Sequence, residues 1–397
     1  MGIVSALGLG KDAVLQALYA GASGIAKVQY LQTEHTLLPV GEVKLSNAEM
    51  MSMLDINQDT PHTRTALMGM LAVQEALENG LSKGGFINRL CTRVAFINGT
   101  TVGGMDKTER YYLDFLSNIN RDEYIAIHDC GACSEMIADH FCDLFTHVQT
   151  ISTACSSAAN AIMTGALLLK NGWADMVVAG GCECITKFHL NGFNSLMILD
   201  NEPCKPFDAN RRGINLGEGA AYLVLETEEH FWARENNHVP IAILSGYANT
   251  CDAFHQTASS PDGEGAYRAM KQALEVAGLQ PADIDYINAH GTGTLNNDSS
   301  EAAAINRVFG NKIPMVSSTK SFTGHATSAA GSLEAVISIL ALQNNFIPAN
   351  LNFSTKPVDL PFIPVVAGKY APLQHVLTNS FGFGGNNTSL IFSKYRE

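Results

Sequence analysis

The sequence predicts an α/β fold of sheets covered by helices on both faces, and three observations carry the prediction. Short, nearly continuous apolar runs alternate with helix-period segments along all 397 residues. A strand ending in a Gly-Thr turn occurs once in each half, at Asn98-Gly99-Thr100 and at His290-Gly291-Thr292. A turn into a helix of small residues also occurs once in each half, around Cys155 and around Gly324. This repetition points to an internal duplication broken near Asn236 to Pro240, with an N-terminal half over 1–238 and a C-terminal half over 239–397.

The elements follow in order. Arg64 to Asn79 places Ala66, Leu67, Met70, Val73 and Leu77 on one face, the pattern of an amphipathic helix. Arg93 to Asn98 reads as a buried strand, as does the approach from His147 to Ser152. Ser157 to Lys170 is an almost wholly apolar helix, followed by strands at Met176 to Ala179 and Gly219 to Glu226. In the second half, strands are expected at Ile241 to Ala248, Ile284 to Ala289, Met315 to Ser318 and Thr388 to Ser393. Helices are expected at Gly265 to Ala277, Ser299 to Phe309 and Ala329 to Gln343.

Composition narrows the function. A net charge of −13 disfavours general nucleic-acid binding, and the basic residues to watch for an acidic partner are few: Arg64, Arg110, Arg121, Arg211 and Arg212. No run approaches the roughly 18 apolar residues of a membrane span, and no secretory or myristoylation signal is present. Nine cysteines in a long globular chain read as reduced thiols, which implies the cytoplasm. Cys130-x-x-Cys133 with Cys142, and Cys182 with Cys184, lack the second ligand pair of a zinc site, so no metal is expected.

Cys155 lies where an apolar strand runs into a helix start, in Thr153-Ala154-Cys155-Ser156-Ser157. Unsatisfied amides there favour a thiolate and can cradle an oxyanion, although most free cysteines are simply small core residues. Four further features carry chemistry. Asn288-Ala289-His290-Gly291-Thr292-Gly293-Thr294 sets a histidine at a strand end, and Ser317-Ser318-Thr319-Lys320-Ser321-Phe322-Thr323-Gly324-His325 sets a lysine and a histidine around a turn. Asn379-Ser380-Phe381-Gly382-Phe383-Gly384-Gly385-Asn386-Asn387 reads as a loop whose backbone can approach a substrate, and Asp298 with Glu301 forms a carboxylate pair. Each alone has a bland alternative in a core histidine, a plain turn or a solvated charge; it is the combination that points to catalysis.

Together with Lys205-Pro206-Phe207-Asp208 and Gly217-Glu218-Gly219-Ala220, these motifs resemble the elongating β-ketoacyl carrier-protein synthases over essentially the whole chain. The resemblance implies the thiolase-like fold, two similar layered halves with the site between them, assembled as a homodimer. It implies that Cys155 takes an acyl group from an acyl carrier protein, with the amides of Cys155 and Phe383 as oxyanion hole. It further implies that His290 and His325 hold the thioester oxygen during malonyl decarboxylation and that Lys320 pairs with Glu301. By the same resemblance Thr292 and Thr294 bind the pantetheine arm, Phe383 gates the acyl tunnel, and Val102 matches the pocket floor that one subunit contributes to its partner. No cofactor is implied beyond the carrier's own phosphopantetheine.

The chain departs from that pattern in places. The family's first strand normally precedes Met1-Gly2-Ile3-Val4-Ser5, which suggests a start further upstream. Phe145-Thr146-His147 replaces the usual Gly-Pro, and Asn194-Ser195-Leu196-Met197 carries no arginine for carrier docking. Other classes fit less well. A non-catalytic chain-length partner subunit loses the cysteine, a thiolase has a second cysteine in the Gly-rich loop, and an initiating synthase has asparagine in place of the second histidine. A cysteine hydrolase would need a base beside Cys155, and nothing in the sequence specifies one. The reading is a condensing enzyme, with a heterodimer remaining open.

Overall fold

A computed structural model describes residues 1–80, 92–119, 122–233 and 239–395. Two mixed sheets form its frame. The N-terminal sheet contains β1 (Gly2–Ser5), β2 (Gly8–Leu9), β3 (Val94–Gly99), β4 (His147–Ile151), β5 (Met176–Glu183) and β6 (Gly219–Glu226), in the order β2-β1-β6-β5-β3-β4. The C-terminal sheet contains β7 (Ile243–Cys251), β8 (Tyr286–Asn288), β9 (Met315–Ser317), β10 (His375–Gly382) and β11 (Asn386–Ser393), in the order β9-β8-β10-β11-β7.

The two orders superimpose. Leaving out β2, the short antiparallel partner of β1, in each half the first strand lies at one side, the last two strands pair antiparallel, and the two strands between extend the sheet in parallel. Thus β5 corresponds to β10, and β4 to β9. The boundary expected at 238 falls on residues 234–238, outside the described ones.

Helices fill the layers. α1 (Arg64–Gly80) packs on the outer face of the N-terminal sheet, with Leu67, Met70 and Val73 fully buried as the periodicity predicts. α2 (Ser157–Lys170) and α5 (Ala330–Asn344) pack against each other between the sheets. A Cβ on Gly331 would stand 2.8 Å from the Ala159 Cβ, so the helices touch where side chains are smallest. α5 is buried from Ala330 to Leu342, which is why its sequence is apolar on every side. α3 (Glu264–Ala277) and α4 (Leu295–Phe309) pack together over the outer face of the C-terminal sheet.

One expectation meets a different structure. The segment from Asn379 to Gly382 is the end of the central strand β10, and only Phe383 to Gly385 form a turn; glycine at the strand end disguised eight paired residues. The strand slot beside β6 is taken by Gly2–Ser5, which pairs with Gly219–Tyr222. β6 continues to Glu226.

Candidate active site

Cys155 sits two residues before α2, after Ala154, which holds a left-handed conformation with φ 52°. The turn is fixed by its own serines. Ser157 Oγ donates to the Ala154 carbonyl (2.6 Å) and accepts from the Thr153 amide (2.8 Å). A second clamp comes from the other half, where Asn386 Oδ1 accepts from Ser156 Oγ (2.7 Å), Asn160 Nδ2 (2.9 Å) and Asn249 Nδ2 (2.7 Å). Sequence reading missed the role of Asn386; its only signal was a pair of amides leading into an otherwise apolar strand.

Above the sulfur lies the turn after β10. A Cβ on Gly382 would come within 2.8 Å of the Thr153 carbonyl oxygen and 3.2 Å of the Cys155 amide, so only glycine lets the strands approach this closely. The Phe383 amide then reaches the Cys155 sulfur. The thiolate expected at this helix start is not the resting form. Burial pushes the thiol up to about 12, and the Lys320 ammonium and the Phe383 amide pull it back only in part.

The C-terminal half supplies the polar groups. His290 leaves β8 through Gly291, whose φ is 38°, and the two amides His290 N and Gly291 N donate to Glu301 at 2.8 Å each. Asn379 Nδ2 donates to the same carboxylate at 3.1 Å. Glu301 therefore supports the histidine loop, and the expected Lys320–Glu301 pair is corrected. Lys320 Nζ instead pairs with Glu334 on α5 and donates to the His290 carbonyl at 2.6 Å. It also lies 3.2 Å from His290 Nδ1. An ammonium can only donate, so His290 accepts at Nδ1 and keeps its ring proton on Nε2.

The His325 ring stands edge-on to the His290 ring with centroids 5.3 Å apart, and its Nδ1 has no hydrogen-bond partner among the described residues. Both histidines are held well below their ordinary range, by burial first and the Lys320 charge second. Both are therefore neutral donors at physiological pH.

These groups line one cavity of about 390 Å³ between the halves, with Cys155, His290, His325, Thr292, Thr294 and Phe383 on its walls. The Thr292 and Thr294 hydroxyls are 2.9 Å apart. Phe383 stacks on Phe193 with centroids 5.9 Å apart. Val102, expected at the floor of the partner's pocket, does not line this chain's own cavity. It lies buried in the N-terminal core, with its amide on the Glu183 carboxylate at 3.2 Å. Arg64 and Arg211 are likewise buried, Arg64 against Glu218, while Arg212 reaches the cavity mouth; Arg121 lies outside the described residues. Among the described residues no group of three His, Cys, Asp or Glu side chains could hold a metal ion, and no helix is long and apolar enough to cross a membrane.

Comparison with known proteins gives the same family from both halves. The family described as "Beta-ketoacyl synthase, N-terminal domain" matches residues 1–230, and "Beta-ketoacyl synthase, C-terminal domain" matches 241–354. The chain is 34% identical to the 3-oxoacyl-[acyl-carrier-protein] synthase 2 of Coxiella burnetii, covering 99% of this chain and 97% of that relative. It is 44% identical to the Rhizobium meliloti protein of the same name over 62% of this chain and 61% of the relative. Among solved structures, a ketosynthase of Xenorhabdus doucetiae in complex with its chain length factor superimposes with a TM-score of 0.83. That match has 32% identity and covers 99% of this chain and 96% of the other.

Proposed function

The chain belongs to the β-ketoacyl synthase family, the acyl-transferring condensing enzymes, and we propose that it joins an acyl group carried on Cys155 to malonyl carrier protein. The observation that carries this reading is the convergence of Cys155 from one half with neutral His290 and His325 from the other on a single cavity.

The Cys155 sulfur attacks the thioester of an acyl carrier protein. Negative charge develops on the carbonyl oxygen and is held by the amides of Cys155 and Phe383. The carrier's pantetheine sulfur leaves and receives the proton that Cys155 gives up. Because burial keeps that thiol protonated, its proton passes to the leaving pantetheine sulfur as the thiol attacks, without resting on an imidazole that burial and the Lys320 charge keep neutral. Malonyl carrier protein then enters, with its arm along Thr292 and Thr294, and its carboxylate departs as carbon dioxide. The electron pair moves onto the thioester oxygen, where His290 Nε2–H and the His325 ring donate, each worth on the order of 3 kcal/mol. The carbanion attacks the Cys155 thioester, a carbon–carbon bond forms, and the cysteine sulfur leaves with a proton from solvent. The product is 3-oxoacyl carrier protein.

Lys320 positions these groups. Its charge adds to burial in keeping both imidazoles neutral and its hydrogen bond fixes the His290 tautomer, while Glu334 balances the buried ammonium. The chemistry draws only on side chains and thioester substrates, with no cofactor. The acyl chain belongs to fatty-acid or related polyene and polyketide synthesis.

Assembly is through the free edge of β4, either with a second copy or with a related chain-length subunit such as the one bound to the Xenorhabdus ketosynthase. A silent chain-length subunit is the weaker reading for this chain itself, because Cys155 and both histidines are in place.

The deciding experiment is intact-protein mass spectrometry after incubation with acyl carrier proteins bearing short saturated to long polyunsaturated chains. The expected result is an acyl adduct on Cys155, strongest for one chain class. A folded dimer that takes no adduct from any donor sinks the catalytic reading.

A further inference from the structure

The cavity that ends at Cys155 opens at a rim made by the end of the helix Lys187–Ser195 and the start of α4. Leu196 follows that helix, and Met197 then turns left-handed with φ 55°. Such a conformation costs a residue with a side chain about 1–2 kcal/mol, and glycine or asparagine is its usual occupant after a helix end. Met197 nevertheless holds it while 87% exposed at the cavity mouth. The turn caps the helix, the Met197 amide donating to the Asn194 carbonyl at 2.9 Å, but that geometry favours glycine or asparagine and burial does not account for a methionine there. Strain of this kind, at an exposed apolar side chain on the rim of a site, is characteristic of a surface that meets something. Leu196 and Leu295 line the same mouth at 45% and 62% exposure.

The charges nearby cancel. Arg212, also at the mouth, is engaged by Asp200 at 2.8 Å and Glu202 at 3.2 Å. Lys205 is engaged by Glu202 at 3.0 Å. Among the described residues these two cations and two carboxylates balance, with apolar side chains standing proud of them. We propose that the carrier protein is recognised here by apolar contact onto Leu196, Met197 and Leu295 rather than by ion pairing, so that the matching carrier presents an apolar surface around the root of its prosthetic arm. The inference rests on the condensing-enzyme reading above.

The test compares two donors of one acyl group: the acyl carrier protein that loads Cys155 best, and free acyl-pantetheine. The KM for the carrier is expected to change less than about two-fold between about 50 mM and about 500 mM salt, because an uncharged contact is not screened. Met197→Gly keeps the left-handed turn. It should raise the carrier KM roughly ten-fold relative to that for acyl-pantetheine, through lost apolar contact. The same variant should raise the melting temperature by relieving backbone strain, which separates docking from folding. A carrier KM that climbs steeply with salt, or a Met197→Gly enzyme with an unchanged ratio of the two KM values, overturns the proposal. Loss of loading from both donors in the unaltered protein would overturn the enzyme reading itself.

Discussion

Ala154 and Thr327 hold equivalent places in the two halves. Each is a left-handed residue three positions before a central helix, with φ 52° before α2 and 40° before α5. The next residue is Cys155 in one half and Ser328 in the other. Their surroundings are nevertheless opposite. Cys155 opens on the cavity, whereas Ser328 is fully buried with its hydroxyl unpartnered among the described residues. The difference comes from the strand that crosses each turn. The Cys155 turn meets the last residue of β10, Gly382, whose missing Cβ leaves space. On the other side stands the last residue of β5, Glu183, whose carboxylate accepts from Thr327 Oγ1 at 3.2 Å. That carboxylate also takes the Thr100 hydroxyl at 2.7 Å and the Thr101 amide at 3.0 Å. A duplicated scaffold thus yields one working turn and one filled turn, through a glycine in one copy and a glutamate in the other.

That contrast can be broken hardest at the thiol. Cys155→Ala should lower condensation on the order of 10⁴-fold or more. Malonyl decarboxylation should continue, since the two histidines remain. Carbon dioxide release measured beside 3-oxoacyl product separates the half-reactions, and acyl loading that survives in this variant would remove Cys155 from the mechanism.

A smaller effect is expected from the buried pair that governs the histidines. Lys320→Met with Glu334→Gln removes both charges together, which avoids stranding one ion in the core. In the unaltered protein a cation beside each imidazole opposes a second positive charge, so protonation and loss of decarboxylation come only well below pH 6.5. Without the cation the histidine pKa values rise, and the acid limb of the pH–rate profile should shift upward. A limb that stays in place would show that burial alone keeps the imidazoles neutral.

The smallest effect is expected at the silent turn. Ser328→Ala deletes a buried hydroxyl with no partner among the described residues, so stability should hold or rise by up to about 1 kcal/mol and turnover should stay within about two-fold. A denaturation curve and a rate measurement suffice. A large loss of turnover would mean that the second turn takes part in the chemistry after all.

Much of this was legible in the chain. The helix Ser157–Lys170 and the strand Gly219–Glu226 fall where apolar patterning sets them. The repeated Gly-Thr and small-residue turns foretell a duplication that the two superimposable strand orders display. β10 escaped notice because its last residues are read as a loop by composition, although they pair residue for residue with β11. Lys320 was assigned to Glu301, eleven residues after His290, when its partner Glu334 arrives one helix later. Carboxylate spacing in sequence carries no information about which one a buried ammonium meets. The resting state of Cys155 was missed for a related reason: a helix start is a local feature, but the water excluded from it depends on both halves.

The sequence by itself determined which groups are present and in what order: one thiol before a small-residue helix, two histidines, a lysine, and glycines where the backbone must crowd. These are local requirements of turn geometry and residue chemistry. Only the tertiary structure decided the protonation of the thiol and imidazoles, the partner of Lys320, the anchoring by Asn386 and the neutral, apolar character of the cavity mouth. Each of these depends on which distant side chains meet and how much water they exclude, because desolvation and pairing are set by neighbours in space.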